Sequence, residues 1–126
     1  DVLGQKKAWE VHEPLPVWSG AVVTAGDVVF YGTLDGWFKA ADAKTGHVLW
    51  QFRAASGIIG QPISYSGADG RQYIAVVAGL GGPLGMIAGN EIDPRDATAA
   101  HGMANALPDL PHPAEPGGTL YIFRLP

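Results

Sequence analysis

The sequence predicts an all-β fold, and three observations carry this prediction. Its 126 residues include 18 glycines and 10 prolines, two residue types that mark turns and interrupt helices. Short runs of β-branched and aromatic residues recur about every eight to ten residues, a spacing typical of strands joined by turns. No long stretch carries an uninterrupted helical apolar period.

The first group of runs predicts four strands joined by turns that each contain a glycine. The predicted strands are Ala21–Thr24, Val28–Thr33, Trp37–Asp42 and His47–Phe52. Short turns join antiparallel neighbours, so this segment is expected to form a four-stranded meander. A meander of this size corresponds to one blade of a β-propeller, and we assign residues 16–53 to it.

The second group of runs is less regular, and we assign residues 60–126 to a second blade, the last of the propeller. It contains predicted strands at Pro62–Ser66, Gln72–Ala78 and Thr119–Leu125. The long segment Gly79–Gly118 predicts an irregular loop with one short helix after Asp96. Two blades cannot close a ring and bury their faces only against other blades. The chain is therefore expected to be part of a larger propeller and to pack against the remaining blades of that propeller.

Charge and composition exclude several classes of function. The net charge is −4, and no cluster of Lys or Arg is present that could neutralise a run of phosphates, which argues against nucleic acid as a partner. No stretch reaches the roughly 18 apolar residues of a membrane span. The chain has no cysteine, which excludes thiolate metal sites and disulfides within it.

One motif combines turn chemistry with a large aromatic side chain. In Ala40-Ala41-Asp42-Ala43-Lys44-Thr45-Gly46-His47-Val48-Leu49-Trp50, Asp42 can accept hydrogen bonds from turn amides and Gly46 can adopt a positive φ. Trp50 then projects from the following strand. This segment resembles the tryptophan-docking motif of quinoprotein alcohol dehydrogenases, in which the tryptophan lies between blades. His47 departs from the lysine that the family often has after the glycine.

The resemblance extends from Trp9 to nearly the end of the chain. It includes the segments Pro16–Gly20, Phe30–Gly36, Ser56–Pro62 and Gly118–Tyr121. Together they resemble the C-terminal segment of methanol dehydrogenases that use pyrroloquinoline quinone (PQQ), and are most similar to the lanthanide-dependent branch. The resemblance implies the C-terminal blades of an eight-bladed β-propeller in a periplasmic oxidoreductase for methanol or other primary alcohols.

Two residues are expected to contact the cofactor, again through the resemblance. Trp18 corresponds to a tryptophan that the family places against PQQ, although packing in the core of a blade is the alternative role for it. Gly82 lies in the Gly-rich segment Gly79–Gly85, whose backbone approaches the cofactor in the family. Pro83 replaces a tryptophan that is common in the family, and it removes both an aromatic ring and a backbone N–H.

No catalytic residue and no metal ligand is assigned within this chain. The resemblance implies that the catalytic Asp and the acids that bind Ca²⁺ or a lanthanide lie upstream. It also implies a c-type cytochrome as electron acceptor, and a homodimer is compatible with it. A non-catalytic propeller scaffold and an inactive truncated remnant stay open as alternatives, because docking motifs can stabilise blades without a cofactor.

Three other patterns are weaker as signs of function. The Gly-rich segment lacks the third glycine of a dinucleotide-binding fingerprint, since Leu84 occupies that position, and no helical period follows. The acids Glu91, Asp93 and Asp96 lack the spacing of a calcium loop, and a solvated turn with Asp96 as a helix cap is the preferred interpretation. The four histidines are too scattered to suggest a shared metal ion.

Overall fold

The computed structural model describes residues 3–89, 93, 95–96, 98, 107–111 and 117–125. The strands in this part of the chain are β1 (Ala21–Val23), β2 (Val28–Gly32), β3 (Trp37–Asp42), β4 (Val48–Arg53), β5 (Ile63–Ser66), β6 (Gln72–Ala78) and β7 (Thr119–Arg124). The helix α1 (Gly82–Ala88) follows β6. Among the described residues, no helix has the length and apolar character needed to cross a membrane.

The strands form two antiparallel sheets. The first has the order β1-β2-β3-β4, and the second has the order β5-β6-β7. All seven predicted strands are present, and each observed boundary lies within one residue of the predicted one. The all-β prediction and the four-stranded meander are therefore confirmed.

The main core lies between the two sheets. Strand alternation directs Phe30, Phe38 and Ala40 of the first sheet toward Ile74 and Val76 of the second, and all five residues are buried. The rings of Phe38 and Phe123 stack across the sheets with centroids 5.5 Å apart. Full burial of side chains of this size contributes about 1.5–3 kcal/mol each, so the two sheets depend on one another for stability.

The predicted loop between β6 and β7 is wrong for residues 82–88, which form α1. Proline is tolerated in the first turn of a helix because the N–H groups there have no intrahelical acceptor, so Pro83 does not prevent this helix. Leu84 and Ile87 lie on one side of α1 and are buried against a second core cluster with Leu34, Leu107 and Leu110. Contacts from distant parts of the chain therefore stabilise α1, although its Gly and Pro content argues against a helix in the sequence. The short helix predicted after Asp96 falls on a segment of which, up to residue 106, only Thr98 is among the described residues.

Candidate functional site

The segment before β1 crosses the outer face of the first sheet, and we call residues 9–20 the N-terminal strap. At its start, the Trp9 indole N–H donates to the Ala43 carbonyl oxygen at 2.8 Å. At its end, the Ser19 hydroxyl group contacts the backbone of Gly32. The strap thus extends from the turn between β3 and β4 to the end of β2.

A buried polar cluster holds the middle of the strap. Lys39 Nζ lies 2.7 Å from Glu13 Oε2, and the two side chains are only 14% and 8% exposed. The Tyr31 hydroxyl donates to Glu13 Oε1 at 2.8 Å. Burial, followed by the hydrogen bond and the negative charge of Glu13, raises the pKa of Tyr31 well above its usual value. The cluster is neutral overall at pH 7 and fastens the strap to β2 and β3.

Trp18 is 46% exposed, so the structure does not place it in the core of the described chain. Among the residues that the structure describes, none accepts a hydrogen bond from its indole N–H and none stacks on its ring. The residue is instead held through its neighbour Ser19, which is buried. An exposed indole whose N–H has no acceptor among the described residues is suited to a flat ligand with polar substituents.

Gly82, the second predicted site residue, is the first residue of α1 and has a φ of +56°. This left-handed conformation favours glycine. A Cβ atom added there would meet no heavy atom within 4 Å, so the space beside this backbone is open. Gly82 therefore offers an exposed stretch of backbone without a side chain.

Backbone hydrogen bonds link the end of β2 to the Gly-rich segment. The Ile58 N–H donates to the Thr33 carbonyl at 2.9 Å, and the Gly79 N–H donates to the Gly57 carbonyl at 2.8 Å. Thr33 directly follows β2, and Gly79 directly follows β6. The segments that carry Trp18 and Gly82 are thereby joined at one end of the two sheets, although no hydrogen bond or ring contact within the described chain connects the two residues themselves.

The turn between β3 and β4 has the predicted geometry. Asp42 Oδ1 accepts hydrogen bonds from the N–H of Lys44, the N–H of Thr45 and the Thr45 hydroxyl, at 2.8–2.9 Å. The bond from the Thr45 hydroxyl, followed by those from the two amides, lowers the pKa of Asp42. Gly46 has a φ of +74°, as expected. The prediction for this turn is confirmed.

Trp50 packs between the two sheets at their rim, but it is not buried in this chain. Its ring lies 5.1 Å from that of Phe123 in the second sheet, in an edge-to-face arrangement, and 40% of the residue is exposed. The burial of Trp50 between blades stays a prediction, because within the described chain its contact with Phe123 covers only part of the ring. The remaining exposed surface has no cover within the described residues.

The other sequence patterns form no shared centre in the described part of the chain. Asp93 pairs with Arg95, and Asp96 binds the N–H and hydroxyl of Thr98, so both carboxylates serve local turns. No group of three or more His, Cys, Asp or Glu side chains among the described residues is placed to hold a metal ion. Glu91, His101 and His112 lie outside the described residues.

Sequence reasoning missed the residues that hold the strap. Alternation along β2 and β3 places Tyr31 and Lys39 as direct partners on the face opposite the core, and this pairing was a usable signal. Glu13, Ser19 and Trp9 carry no comparable pattern, because their partners are distant in sequence.

The described strands form two packed antiparallel sheets, the arrangement expected of neighbouring blades in a β-propeller. The chain belongs to the PQQ family of glucose/ethanol/alcohol dehydrogenase β-propeller domains, whose model matches residues 2–74. The resemblance found in the sequence is thus confirmed.

Individual relatives agree with this membership. The chain is 50% identical to a lanthanide-dependent methanol dehydrogenase of Methylacidiphilum fumariolicum (strain SolV), over 99% of this chain and 21% of that protein. It is 43% identical to methanol dehydrogenase [cytochrome c] subunit 1 of Methylobacterium organophilum, over 98% of this chain and 21% of that protein. A europium-containing methanol dehydrogenase has a similar structure, with a TM-score of 0.87 and 50% identity over 98% of this chain and 22% of that one. The chain spans about a fifth of the length of these relatives.

Proposed function

We propose that this chain forms one wall of the PQQ site in a propeller enzyme that oxidises methanol or another primary alcohol. In that enzyme, residues 16–53 form one blade and residues 60–126 form the last. The observation that carries the proposal is the half-exposed indole of Trp18, which is free of any partner within the described chain and lies in a segment joined to the Gly-rich segment.

The residues present fit a flat, anionic cofactor. The Trp18 ring offers an apolar face, and its N–H can donate to an acceptor such as a carboxylate. At Gly82 the open space allows a planar group to approach the backbone. Pro83 has no N–H to donate. We therefore expect this wall to depend more on Trp18 than on the Gly-rich segment.

PQQ, when bound with a Ca²⁺ or lanthanide ion as Lewis acid, supplies the acceptor for the hydride equivalent of the alcohol. The part played by this chain is to bind PQQ and to exclude water from the site. Trp18 covers one side of the site, and the backbone at Gly82 limits the space beside it. Catalytic and metal-binding side chains are proposed to lie elsewhere in the protein.

The proposal also includes the metal ion, the electron acceptor and the cellular compartment of the enzyme. The similarity to a lanthanide-dependent methanol dehydrogenase favours a lanthanide ion. The similarity to methanol dehydrogenase [cytochrome c] subunit 1 favours a c-type cytochrome as electron acceptor. The resemblance to this family favours a periplasmic location, and a homodimer is compatible with it.

The proposal is tested by equilibrium binding of PQQ to the full-length, metal-loaded protein. We expect Trp18→Ala to weaken binding about tenfold or more, a loss of at least about 1.4 kcal/mol. Val17→Ala is the matched control, because Val17 is the neighbouring strap residue and is also exposed, at 42%.

Unchanged affinity in Trp18→Ala would reject the cofactor role. The non-catalytic scaffold would then be the better description of this segment. An equal loss in both variants would show that the strap has a structural role only.

A further inference from the structure

Ser19 makes a set of hydrogen bonds that fixes the end of the strap to the end of β2. Its hydroxyl oxygen accepts from the Gly32 N–H at 2.7 Å. The same hydroxyl donates to the Gly32 carbonyl at 2.9 Å, with the Gly20 carbonyl as a second acceptor at 3.0 Å. One side chain thus serves both backbone groups of one residue.

These bonds occur where the pairing of β1 with β2 stops, although Gly32 still pairs with Phe38 of β3. The register between β1 and β2 ends at Ala21 and Tyr31, so Gly32 lies one position beyond the last backbone pair. Gly32 is buried and packs so closely on Ile58 that a Cβ atom would lie 2.3 Å from the Ile58 side chain. Buried backbone groups must be paired, and here the Ser19 side chain substitutes for the missing strand partner.

Trp18 depends on this arrangement for its position. Its indole has no hydrogen bond or ring contact within the described chain, so the backbone of residues 18 and 19 fixes the point and the direction from which the side chain projects. The nearest polar attachment on the other side is Glu13, five residues earlier. Loss of the Ser19 hydroxyl would leave Trp18 on a longer, less constrained segment.

We propose that Ser19 is a positioning residue, whose paired hydrogen bonds to Gly32 hold the Trp18 indole in the orientation that receives PQQ. This inference rests on the proposed function, since it concerns the same wall. Ser19 itself does not touch the cofactor.

A double-mutant cycle in the full-length, metal-loaded protein tests the proposal, with the dissociation constant of PQQ as the readout. We expect Ser19→Ala to weaken PQQ binding about three- to tenfold. In the Trp18→Ala background, Ser19→Ala is expected to cause no further loss. A purely structural role would not produce this dependence on Trp18.

Two further variants separate positioning from general damage. Thr24 directly follows β1, at the end opposite Ser19, and its hydroxyl donates to the Val28 carbonyl. Thr24→Ala removes this hydrogen bond and is expected to leave PQQ affinity unchanged. Ser19→Cys keeps the side-chain volume but donates and accepts hydrogen bonds weakly. It is expected to give an intermediate affinity, and it can replace Ser19→Ala in the cycle if that variant does not fold.

The possible failures are distinguishable. If Trp18→Ala leaves affinity unchanged, the proposed function fails and this inference fails with it. If Trp18→Ala weakens binding but Ser19→Ala and Ser19→Cys do not, only the positioning role is rejected. An equal effect of the Ser19 variant with and without Trp18 would also overturn it, because Ser19 would then act independently of the indole.

Discussion

Glu13 shows how a single residue connects the strap to the sheet. Its two carboxylate oxygens accept hydrogen bonds from Lys39 and Tyr31, and the ion pair with Lys39 is largely excluded from water. A buried pair of this kind adds little net stability compared with apolar residues, but removing one partner leaves an uncompensated charge. The cluster therefore specifies where the strap lies, and with it the position of Trp18.

The Tyr31 hydroxyl makes this cluster sensitive to alkaline pH. Burial and Glu13 raise its pKa above the ordinary value of 10.0. The unfolded chain would lose this proton near pH 10, whereas the folded chain retains it to higher pH. The contribution to stability is fully present below about pH 10 and is lost as the pH rises further.

We therefore expect the free energy of unfolding to decrease less steeply above pH 10 in Tyr31→Phe than in the wild type. The measurement is the free energy of unfolding of the full-length protein by urea, at several pH values between 8 and 11.5. Below pH 9 the variant should be less stable than the wild type, because the hydrogen bond to Glu13 is lost. Parallel curves for the two proteins over the whole range would contradict the proposed coupling.

At the scale of elements, the turn between β3 and β4 connects two strands and also contacts the N-terminal strap. Asp42 organises the turn from within, and Trp9 covers it from the strap. A Cβ atom on Gly46 would lie 2.6 Å from the Trp9 ring, so the glycine is needed for its φ of +74° and for this close approach. The turn between β3 and β4 thus also contacts the start of the strap, through Trp9.

Gly46→Ala should accordingly destabilise the protein more than Gly70→Ala. Both glycines have a φ of +74°, but a Cβ atom on Gly70 would meet nothing within 4 Å. We expect Gly70→Ala to cost about 1–2 kcal/mol through backbone strain alone. The Gly46 variant should cost at least about 1 kcal/mol more, because the added methyl group displaces Trp9.

The Trp9→Ala background provides the control for this comparison. There the steric conflict is absent, and the cost of Gly46→Ala should fall to that of Gly70→Ala. Urea denaturation of the full-length variants measures these differences. Equal costs of the two glycine substitutions in the wild-type background would show that Trp9 does not restrain the turn.

At the scale of the whole molecule, the two sheets leave substantial apolar surface uncovered. On the outer face of the second sheet, Val77, Leu120, Ile122 and Ile63 are between 48% and 59% exposed. An open apolar groove of about 360 Å³ lies beside Trp50 and Phe123 at the rim between the sheets. Contiguous exposed apolar surface of this kind is characteristic of interfaces.

We expect the 126-residue chain, expressed alone, to be poorly folded or aggregated. Size-exclusion chromatography and thermal unfolding monitored by circular dichroism measure this directly. A monodisperse monomer with a sharp, cooperative transition would contradict the expectation. Leu120→Lys combined with Ile122→Lys should improve the solubility of the isolated chain and destabilise the full-length protein, because the same face is covered only in the latter.

Local patterns were sufficient for most of the fold. Alternation and turn residues predicted each strand of the described part of the chain, and the hydrogen bonds of Asp42 followed from residue types and spacing alone. The helix α1 was missed because its stability comes from Leu34, Leu107 and Leu110, which are distant in sequence. The same limit applies to the site: Trp18 and Gly82 were selected by resemblance, while the residues that hold the strap were not found.

The sequence by itself determined the all-β class, the meander, the geometry of the docking turn and the membership in the PQQ family. These properties depend on interactions between residues close in sequence or on motifs of fixed spacing. Only the tertiary structure decided that Ser19 pairs with Gly32, that Glu13 lies between Tyr31 and Lys39, and that Trp18 stays accessible. Each of these depends on which segments meet after folding, because a hydroxyl or carboxylate can pair with any suitable partner that the packing brings within hydrogen-bonding distance.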